Sequence, residues 1–234
     1  TDLYGVQEDV YGKYLGSVLS LIFILYFFMS AMIILRNYIE VVQTWVFPQM
    51  ATWTLSAIIL FLAWYTIIGG IRVIAGYVFF SVSVTIWLVC DLYFPLRYAQ
   101  WEYLLPVLEA DMGQLFQGML GMSLTSIGFE VLYVVYPFVK DKNRLNRGVQ
   151  FGVLTTNLIY LLVMIVSLVF FSQGQLMRTI WPTLNLKKMV YLPVLERFEL
   201  IAISIWMIVI LPNIMMYIWS GARGLRRLFG WKLP

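Results

Sequence analysis

The sequence predicts an all-α integral membrane protein that crosses the bilayer six times. Of its 234 residues, 62% are apolar and only 12% are charged, about half the charged fraction of a typical soluble domain. The apolar residues also occur in runs of about 20, the length at which a helix spans a hydrocarbon core of roughly 30 Å. Within lipid a helix satisfies its own backbone hydrogen bonds, so each run is predicted to be a helix, and a soluble enzyme is excluded.

Six apolar segments define the predicted spans, and the whole chain, residues 1–234, forms a single transmembrane domain. In chain order the spans cover residues 14–35, 51–68, 73–90, 115–139, 149–171 and 200–219. The two longest connections, residues 91–114 and 172–199, are predicted to hold short helices at the membrane surface, where aromatic residues concentrate. Because the chain begins with Thr1 rather than Met, we expect it to be a piece of a longer protein.

The basic residues predict the orientation of the spans. With six crossings, ten of the 16 Lys and Arg residues fall on the side that holds both ends of the chain, and six fall on the other side. The positive-inside rule places the richer side in the cytoplasm, so both ends of this piece are predicted to be cytoplasmic. Topology thus accounts for the net charge of +4, and no nucleic-acid partner is predicted.

The fourth predicted span carries a cluster of small and polar residues at its centre. The cluster comprises Gly118, Gly121, Ser123, Thr125, Ser126 and Gly128. Glycine weakens a helix, and Ser and Thr can bond to freed backbone groups. Open backbone at membrane depth is tolerated where it lines a cavity, and a second half-helix starting near Ser126 would direct its positive end at a carboxylate. The sequence favours such an opened helix, with close packing through small residues as the alternative.

Glu130 is the only acidic residue well inside a predicted span. An ionisable group at that depth is costly and is by default a functional hypothesis. One interpretation is coupling to a proton or another cation. The other is a structural hydrogen bond that holds the broken helix, and the residues alone leave both open.

Polar residues in two other spans share helix faces. Tyr26 and Ser30 lie one turn apart in span 1, and Asn213 and Tyr217 lie one turn apart in span 6. Pro212 removes one backbone hydrogen bond from span 6 and is predicted to kink it. Each of these polar side chains can serve either as a ligand contact or as a hydrogen bond between helices.

The sequence contains no catalytic or metal-binding constellation. It has no histidine and a single cysteine, Cys90, so it lacks imidazole ligands and the commonest proton shuttle near neutral pH. There is no Ser–His–Asp set, no cluster of metal ligands and no phosphate loop. We therefore predict no cofactor, no metal and no catalytic residue, and we do not expect an enzyme.

Short motifs are spread over most of the chain. They are Glu130 followed by Tyr136-Pro137-Phe138 and a basic loop, Trp181-Pro182-Thr183, Leu195-Glu196-Arg197-Phe198-Glu199 before a span with Trp206, Leu15-Gly16, Arg36 with Glu40, and Gly69-Gly70-Ile71 near Arg72. Together they resemble the B-subunit family of bacterial spore germination receptors, which belongs to the amino acid–polyamine–organocation superfamily.

The resemblance implies a ten-helix inverted-repeat fold of the LeuT type, in which the six spans correspond to helices 3 to 8. Helices 1, 2, 9 and 10 would lie outside this chain. In that fold helix 6 is broken beside the ligand site and helices 3 and 8 line it, which corresponds to spans 4, 1 and 6. By this location the candidate ligand-binding residues are Tyr26, Ser30, Ser123, Thr125, Ser126, Gly128, Asn213 and Tyr217, with Glu130 as a coupling or structural acid.

The resemblance also implies a function, which is the sensing of a nutrient such as an amino acid in the inner membrane of a dormant spore. Binding in a mid-membrane cavity would trigger germination and ion release, driven by differential affinity for two states. The implied partners are an A-type membrane subunit, a C-type lipoprotein and the lipid bilayer. Two alternatives are an amino acid permease of the bacterial cell membrane, with proton coupling through Glu130 as one version, and a purely structural membrane subunit.

Overall fold

In the computed structural model, residues 2–106, 110–123, 127–191 and 197–230 are described, and every regular element within these ranges is helical. The α-helices are α1 (Leu3–Trp45), α2 (Thr52–Ile68), α3 (Ile71–Thr85), α4 (Tyr93–Leu96), α5 (Met112–Ser123), α6 (Val131–Val135), α7 (Lys142–Phe170), α8 (Gln173–Arg178), α9 (Pro182–Lys187) and α10 (Phe198–Phe229). Short 3₁₀ helices cover Ile86–Leu92, Trp101–Leu104 and Tyr136–Phe138. The all-α class is confirmed for the described residues, and both long connections contain the short helices expected of them.

Four helical stretches among the described residues are long and apolar enough to cross a membrane. They are Leu3–Trp45, Ile71–Leu96, Lys142–Phe170 and Phe198–Phe229. Predicted spans 1, 3 and 6 lie within three of them, and predicted span 5 extends one residue past Phe170. Predicted span 2 corresponds to α2, an apolar helix of 17 residues. The chain is therefore a helical integral membrane protein, and of the six predicted crossings four are matched by helices of sufficient length.

Predicted span 4 is not one continuous helix. Helix α5 ends at Ser123, residues 127–130 form a turn, and α6 begins only at Val131. The interruption falls where the glycines and hydroxyl residues predicted an opened helix. The expected start of the second half near Ser126 lies outside the described residues, and the first described helical residue after the turn is Val131.

Helix α1 contains a sharp change of direction at Gly12, whose φ of 76° and ψ of 170° are not helical. The residues before Gly12 fold back on those after it. The approach is so close that a Cβ added to Gly16 would lie 2.7 Å from the carbonyl oxygen of Gln7. The Ser20 hydroxyl donates to the Gln7 side chain across this contact, at 2.8 Å. The long membrane helix therefore starts beyond Gly12, close to the predicted start of span 1.

The chain divides into two compact units. The first unit comprises Thr1–Thr85, Gly128–Lys140 and Ile203–Pro234, and the second comprises Ile86–Ile127 and Asp141–Ala202. The core of the first unit includes Tyr4, Ile24, Phe27, Ala31, Val131, Val134 and Tyr217. One buried cluster of the second unit consists of Leu92, Val166 and Leu186.

Helix α10 continues through Pro212 without a break in its helical assignment. Proline has no N–H, so the carbonyl of Ile208, four residues earlier, loses its helical donor. The Ser81 hydroxyl of α3 donates to this carbonyl at 2.8 Å. A neighbouring helix thus satisfies the group that the proline leaves open, which is how membrane helices tolerate an internal proline.

Candidate functional site

Glu130 lies in the first unit, in the turn immediately before α6. Its side chain is buried, with 8% relative exposure. The backbone of Glu130 is already helical, with φ of −65° and ψ of −23°, but the carboxylate does not cap α6. The side chain is therefore free to bond elsewhere in the first unit.

Three donors converge on the Glu130 carboxylate. The Tyr26 hydroxyl donates to Oε1 at 2.7 Å, and the Tyr217 hydroxyl donates to the same oxygen at 3.0 Å. The backbone N–H of Gly128 donates to Oε2 at 2.9 Å. We call these four residues the Glu130 clamp, because they join α1, the interrupted segment and α10 through one side chain.

Aromatic packing positions the two tyrosines of the clamp. Phe27 is fully buried, and its ring centroid lies 5.6 Å from that of Tyr26 and 6.0 Å from that of Tyr217. Tyr217 is itself 2% exposed. The buried Ser30 lies one turn after Tyr26 on the same face of α1. Both phenol groups are therefore held with their hydroxyls at the carboxylate.

Gly128 is required by backbone conformation rather than by lack of space. Its φ is +131°, in a region that only glycine enters readily. A Cβ at this position would lie 3.8 Å from the Tyr217 hydroxyl oxygen, an ordinary contact distance. The conformation allows the Gly128 N–H to reach the carboxylate two residues later.

The described groups that bond to the Glu130 carboxylate are neutral donors. Among the described residues, no Lys or Arg nitrogen forms an ion pair with it. Hydrogen bonds to a charged group contribute about 1.5–3 kcal/mol each, and three such bonds offset part of the several kcal/mol that burying a carboxylate costs. The arrangement is chemically suited to holding the start of α6 in place against α1 and α10.

The structure brings Tyr26, Ser30, Gly128 and Tyr217 together around Glu130, but not every predicted residue. Asn213 is exposed, and its amide donates to the Val209 carbonyl of its own helix at 3.4 Å. The candidates on the other side of the interruption fall outside what is described: these are the Ser123 side chain, Thr125 and Ser126.

A second polar cluster of the first unit was missed by the sequence analysis. Asp2 is 5% exposed and accepts from Arg223 at 3.0 Å and from Arg227 at 2.9 Å. The Arg223 guanidinium also lies 4.6 Å from the ring centroid of Phe138, just after α6. The basic residues after span 6 indicated only topology, because nothing in the sequence linked them to an acid more than 200 residues away.

In the second unit, Asp91 and Lys187 form a buried ion pair that was also missed. The Lys187 ammonium lies 2.5 Å and 2.7 Å from the two carboxylate oxygens and 3.4 Å from the Leu88 carbonyl. Both residues had been assigned to connections outside the spans. Their separation of 96 residues leaves no spacing signal that could have paired them.

Apolar helices of membrane-spanning length together with a buried polar clamp at an interrupted helix define the class: a helical membrane protein with an internal polar site. The family model described as spore germination protein matches residues 1–234. The chain therefore belongs to the spore germination protein family.

Three curated relatives support this assignment. The chain is 35% identical over 231 residues to spore germination protein GerQB of Bacillus cereus, covering 99% of this chain and 64% of the relative. It is 25% identical to spore germination protein YndE of Bacillus subtilis, with coverages of 97% and 63%, and 26% identical to spore germination protein B2 of the same species, with coverages of 87% and 56%. The chain thus spans less than two thirds of the length of these relatives. No solved structure matches it.

Proposed function

We propose that this chain is the central part of a B-type subunit of a spore germinant receptor, which senses a nutrient in the inner membrane of the dormant spore. Membership of the spore germination protein family and the relatives named for germination support this role. In the proposed receptor the subunit works with an A-type membrane subunit and a C-type lipoprotein.

The proposed fold is the ten-helix inverted repeat, with this chain supplying helices 3 to 8. Under this proposal α2 is one of the six crossings despite its 17 residues, and the segments before and after the turn at residues 127–130 together form another. Both ends of the chain are then cytoplasmic, as the excess of basic residues on that side favours. The interrupted span corresponds to the broken helix of this fold.

The observation that carries the proposed site is the interrupted span fixed by the Glu130 clamp. We propose that the nutrient, an amino acid by class, binds beside this interruption. A helix that is opened at membrane depth presents backbone donors and acceptors, and transporter-type folds hold small polar ligands at such places. The contacts proposed for the ligand are the residues inferred from the sequence: Tyr26, Ser30, Ser123, Thr125, Ser126, Gly128, Asn213 and Tyr217.

Binding would trigger germination only if the ligand has different affinities for two states of the subunit. The Glu130 clamp offers a physical basis for two states, because closing or opening it changes how the segment before α6 is attached to α1 and α10. A ligand that competes for the clamp hydroxyls would favour the open state. In the proposed receptor this change leads to ion release through the assembly.

Nutrient binding to the full-length protein tests this function. A panel of amino acids would be titrated against the protein in lipid nanodiscs by calorimetry, with Asn213→Ala as the diagnostic variant. Asn213 is exposed and bonds only within its own helix, so its loss should leave the fold intact. We expect about tenfold weaker binding, the effect of losing one hydrogen bond of about 1.4 kcal/mol.

The matched control is Ser83→Ala, since Ser83 is also exposed and bonds only to the Phe79 carbonyl of its own helix. Unchanged affinity is expected for this control. If no amino acid binds, or if Asn213→Ala and Ser126→Ala bind the nutrient as the unchanged protein does, the structural-subunit interpretation replaces the proposed site.

A second candidate function is an amino acid permease. The observation that favours it is the buried acid Glu130, which forms no ion pair with the described residues. Transport coupled to protons needs an ionisable group at membrane depth. Steady uptake of labelled amino acid into vesicles that contain only the full-length protein would favour the permease. Saturable binding without uptake would favour the receptor subunit.

A further inference from the structure

A half-enclosed cavity of about 100 Å³ lies in the first unit, between the fold-back segment at the start of α1, the long helix that follows it and the end of α10. A water needs about 10–15 Å³ of such space, so the cavity is large enough for a small ionic group. Its floor includes the buried residues Tyr4, Gly16 and Ser20, and its rim includes the exposed residues Glu8, Lys13 and Arg227.

The rim of the cavity is cationic. The Lys13 ammonium forms no ion pair with any described residue. Arg227 pairs with Asp2 at 2.9 Å and lies 3.5 Å from Glu8, and Asp2 also pairs with Arg223 at 3.0 Å. Three cations and two carboxylates therefore meet at the rim and directly behind it, which leaves an excess of one positive charge.

The hydroxyl groups that line the cavity already donate elsewhere. Ser17 donates to the Lys13 carbonyl at 2.6 Å, and Ser20 donates to the Gln7 side chain at 2.8 Å. The Tyr4 hydroxyl donates to a carbonyl of α10 at 2.7 Å. An occupant must therefore take its hydrogen bonds from the Lys13 ammonium and from the remaining N–H groups of the guanidinium on the rim, which has five in all. Such an occupant is an anion.

The position of the cavity along the helices corresponds to the membrane surface. The long helix starts beyond Gly12, close to the predicted start of span 1 at residue 14, and Arg227 lies about two turns past the predicted end of span 6. Exposed apolar side chains flank the rim residues in the chain, with Val10 67%, Tyr14 91% and Phe229 58% exposed. Aromatic residues concentrate where lipid headgroups meet the hydrocarbon core, so the anion most accessible to this cavity is a lipid phosphate.

We propose that this cavity binds the phosphate group of a phospholipid, with Lys13 as its main donor and Arg227 as its second. A lipid phosphodiester carries one negative charge, which matches the excess on the rim. A terminal phosphate group carries about 1.5 to 2 negative charges at pH 7 and would be repelled more strongly by Glu8. Basic pockets between membrane helices bind lipid headgroups in this way. None of these residues belongs to the Glu130 clamp, so lipid binding is independent of the proposed nutrient site.

Native mass spectrometry of the full-length protein in detergent tests the site. The protein would be titrated with dioleoylphosphatidylglycerol, whose headgroup contains the phosphodiester, and with dioleoylglycerol, which lacks it. We expect one tightly retained phosphatidylglycerol and no retained dioleoylglycerol. Its binding should be at least about tenfold weaker in Lys13→Gln, because a hydrogen bond between two charged groups is lost.

The matched control is Lys140→Gln, which removes the same charge from an exposed lysine that does not line the cavity. Its affinity for phosphatidylglycerol should equal that of the unchanged protein. Equal losses in Lys13→Gln and Lys140→Gln overturn the proposal, because they would show a general response to positive charge. Equal retention of the two lipids overturns it as well.

Glu8→Gln should have the opposite effect. It removes the carboxylate from the rim, so phosphatidylglycerol should bind several-fold more tightly, whereas Asp9→Asn, an exposed acid that does not line the cavity, should leave binding unchanged. A variant that fails to fold does not gain affinity, so this result is separate from any loss of structure. Unchanged or weaker binding in Glu8→Gln contradicts the proposed rim.

Inorganic phosphate tests the other source of the same chemical group. Retention of phosphatidylglycerol would be compared in phosphate and in chloride buffers of equal ionic strength, since ionic strength alone screens charges at an exposed rim. We expect equal retention in the two buffers. Displacement of the lipid by phosphate but not by chloride would assign the cavity to free phosphate and overturn the lipid site.

Discussion

The Glu130 clamp of the first unit and the Asp91–Lys187 pair of the second unit compensate a buried carboxylate in different ways. Each buries a carboxylate in a strongly apolar chain, with 8% and 6% exposure. Asp91 receives both of its close bonds from one ammonium group, whereas Glu130 receives three bonds from neutral donors. One site contains its own neutralising charge, and the other does not.

The difference lies in what each buried carboxylate depends on: a single cation at Asp91, and several neutral donors at Glu130. Breaking the Asp91–Lys187 pair leaves a charge buried without a partner, so the pair has no low-energy alternative state. The Glu130 carboxylate instead depends on three separate donors, from α1, from α10 and from its own segment, so no single substitution removes all of its hydrogen bonds. We therefore expect loss of the Lys187 cation to cost more stability than loss of any one donor of the Glu130 clamp.

The largest effect is expected from Lys187→Met, which removes the cation but keeps an apolar side chain of similar length. Asp91 would remain buried and unpaired, so the free energy of unfolding should fall by about 3–5 kcal/mol. The measurement is unfolding of the full-length protein in bicelles by titration with a denaturing detergent.

The double variant Asp91→Leu with Lys187→Met sharpens this prediction. Replacing both partners with apolar residues should restore most of the lost stability, because no charge is left buried. If the single variant is as stable as the unchanged protein, Asp91 does not depend on Lys187, and the contrast with Glu130 disappears.

The next largest effect is expected from Tyr217→Phe, which removes one donor from the clamp without changing the ring. A hydrogen bond to a charged group contributes about 1.5–3 kcal/mol, so the free energy of unfolding at neutral pH should fall by that amount. Tyr133→Phe is the matched control, because Tyr133 lies in α6 but is 56% exposed. A loss of stability in the control equal to that in Tyr217→Phe would show that the hydroxyl bond to Glu130 is not the cause.

The sequence alone identified the residues of the clamp, because several of them are unusual in an apolar membrane helix. Glu130 stands out as an acid inside an apolar span, and Gly128 lies in a stretch too rich in glycine and serine for a stable helix. Tyr26 and Tyr217 were candidates because each shares a helix face with another polar residue. Their meeting at one carboxylate was not predictable, since it depends on how α1 and α10 pack.

The parts that sequence reasoning missed involve partners distant in the chain. The carbonyl freed by Pro212 was predictable from the proline alone, but the donor that satisfies it, Ser81, lies 127 residues away. Asn213 is exposed and donates to the Val209 carbonyl of its own helix, and its predicted contact with a ligand stays a prediction. A local pattern identifies a group that needs a partner, whereas only packing decides which partner it finds.

Gly128→Ala tests whether the clamp depends on backbone conformation. Alanine at a φ of +131° should cost about 1–3 kcal/mol, and it should weaken the N–H bond to Glu130. The control is Gly118→Ala in α5, where a Cβ would find nothing within 4 Å. A helical glycine replaced by alanine should stabilise by about 0.5–1 kcal/mol, so the two variants should change the unfolding free energy in opposite directions.

The smallest effect is expected at the bond between Ser81 and the Ile208 carbonyl, where both partners are neutral. Hydrogen bonds between membrane helices average about 0.6 kcal/mol, so Ser81→Ala should lower the free energy of unfolding by that amount, and Ser83→Ala should have no effect. In a Pro212→Ala background the backbone N–H of residue 212 returns as a donor to Ile208. The cost of Ser81→Ala should then shrink towards zero, and a double-mutant cycle measures this difference. If Ser81→Ala costs as much with alanine at position 212 as with proline, the Ser81 bond does not compensate the carbonyl that Pro212 leaves without a donor.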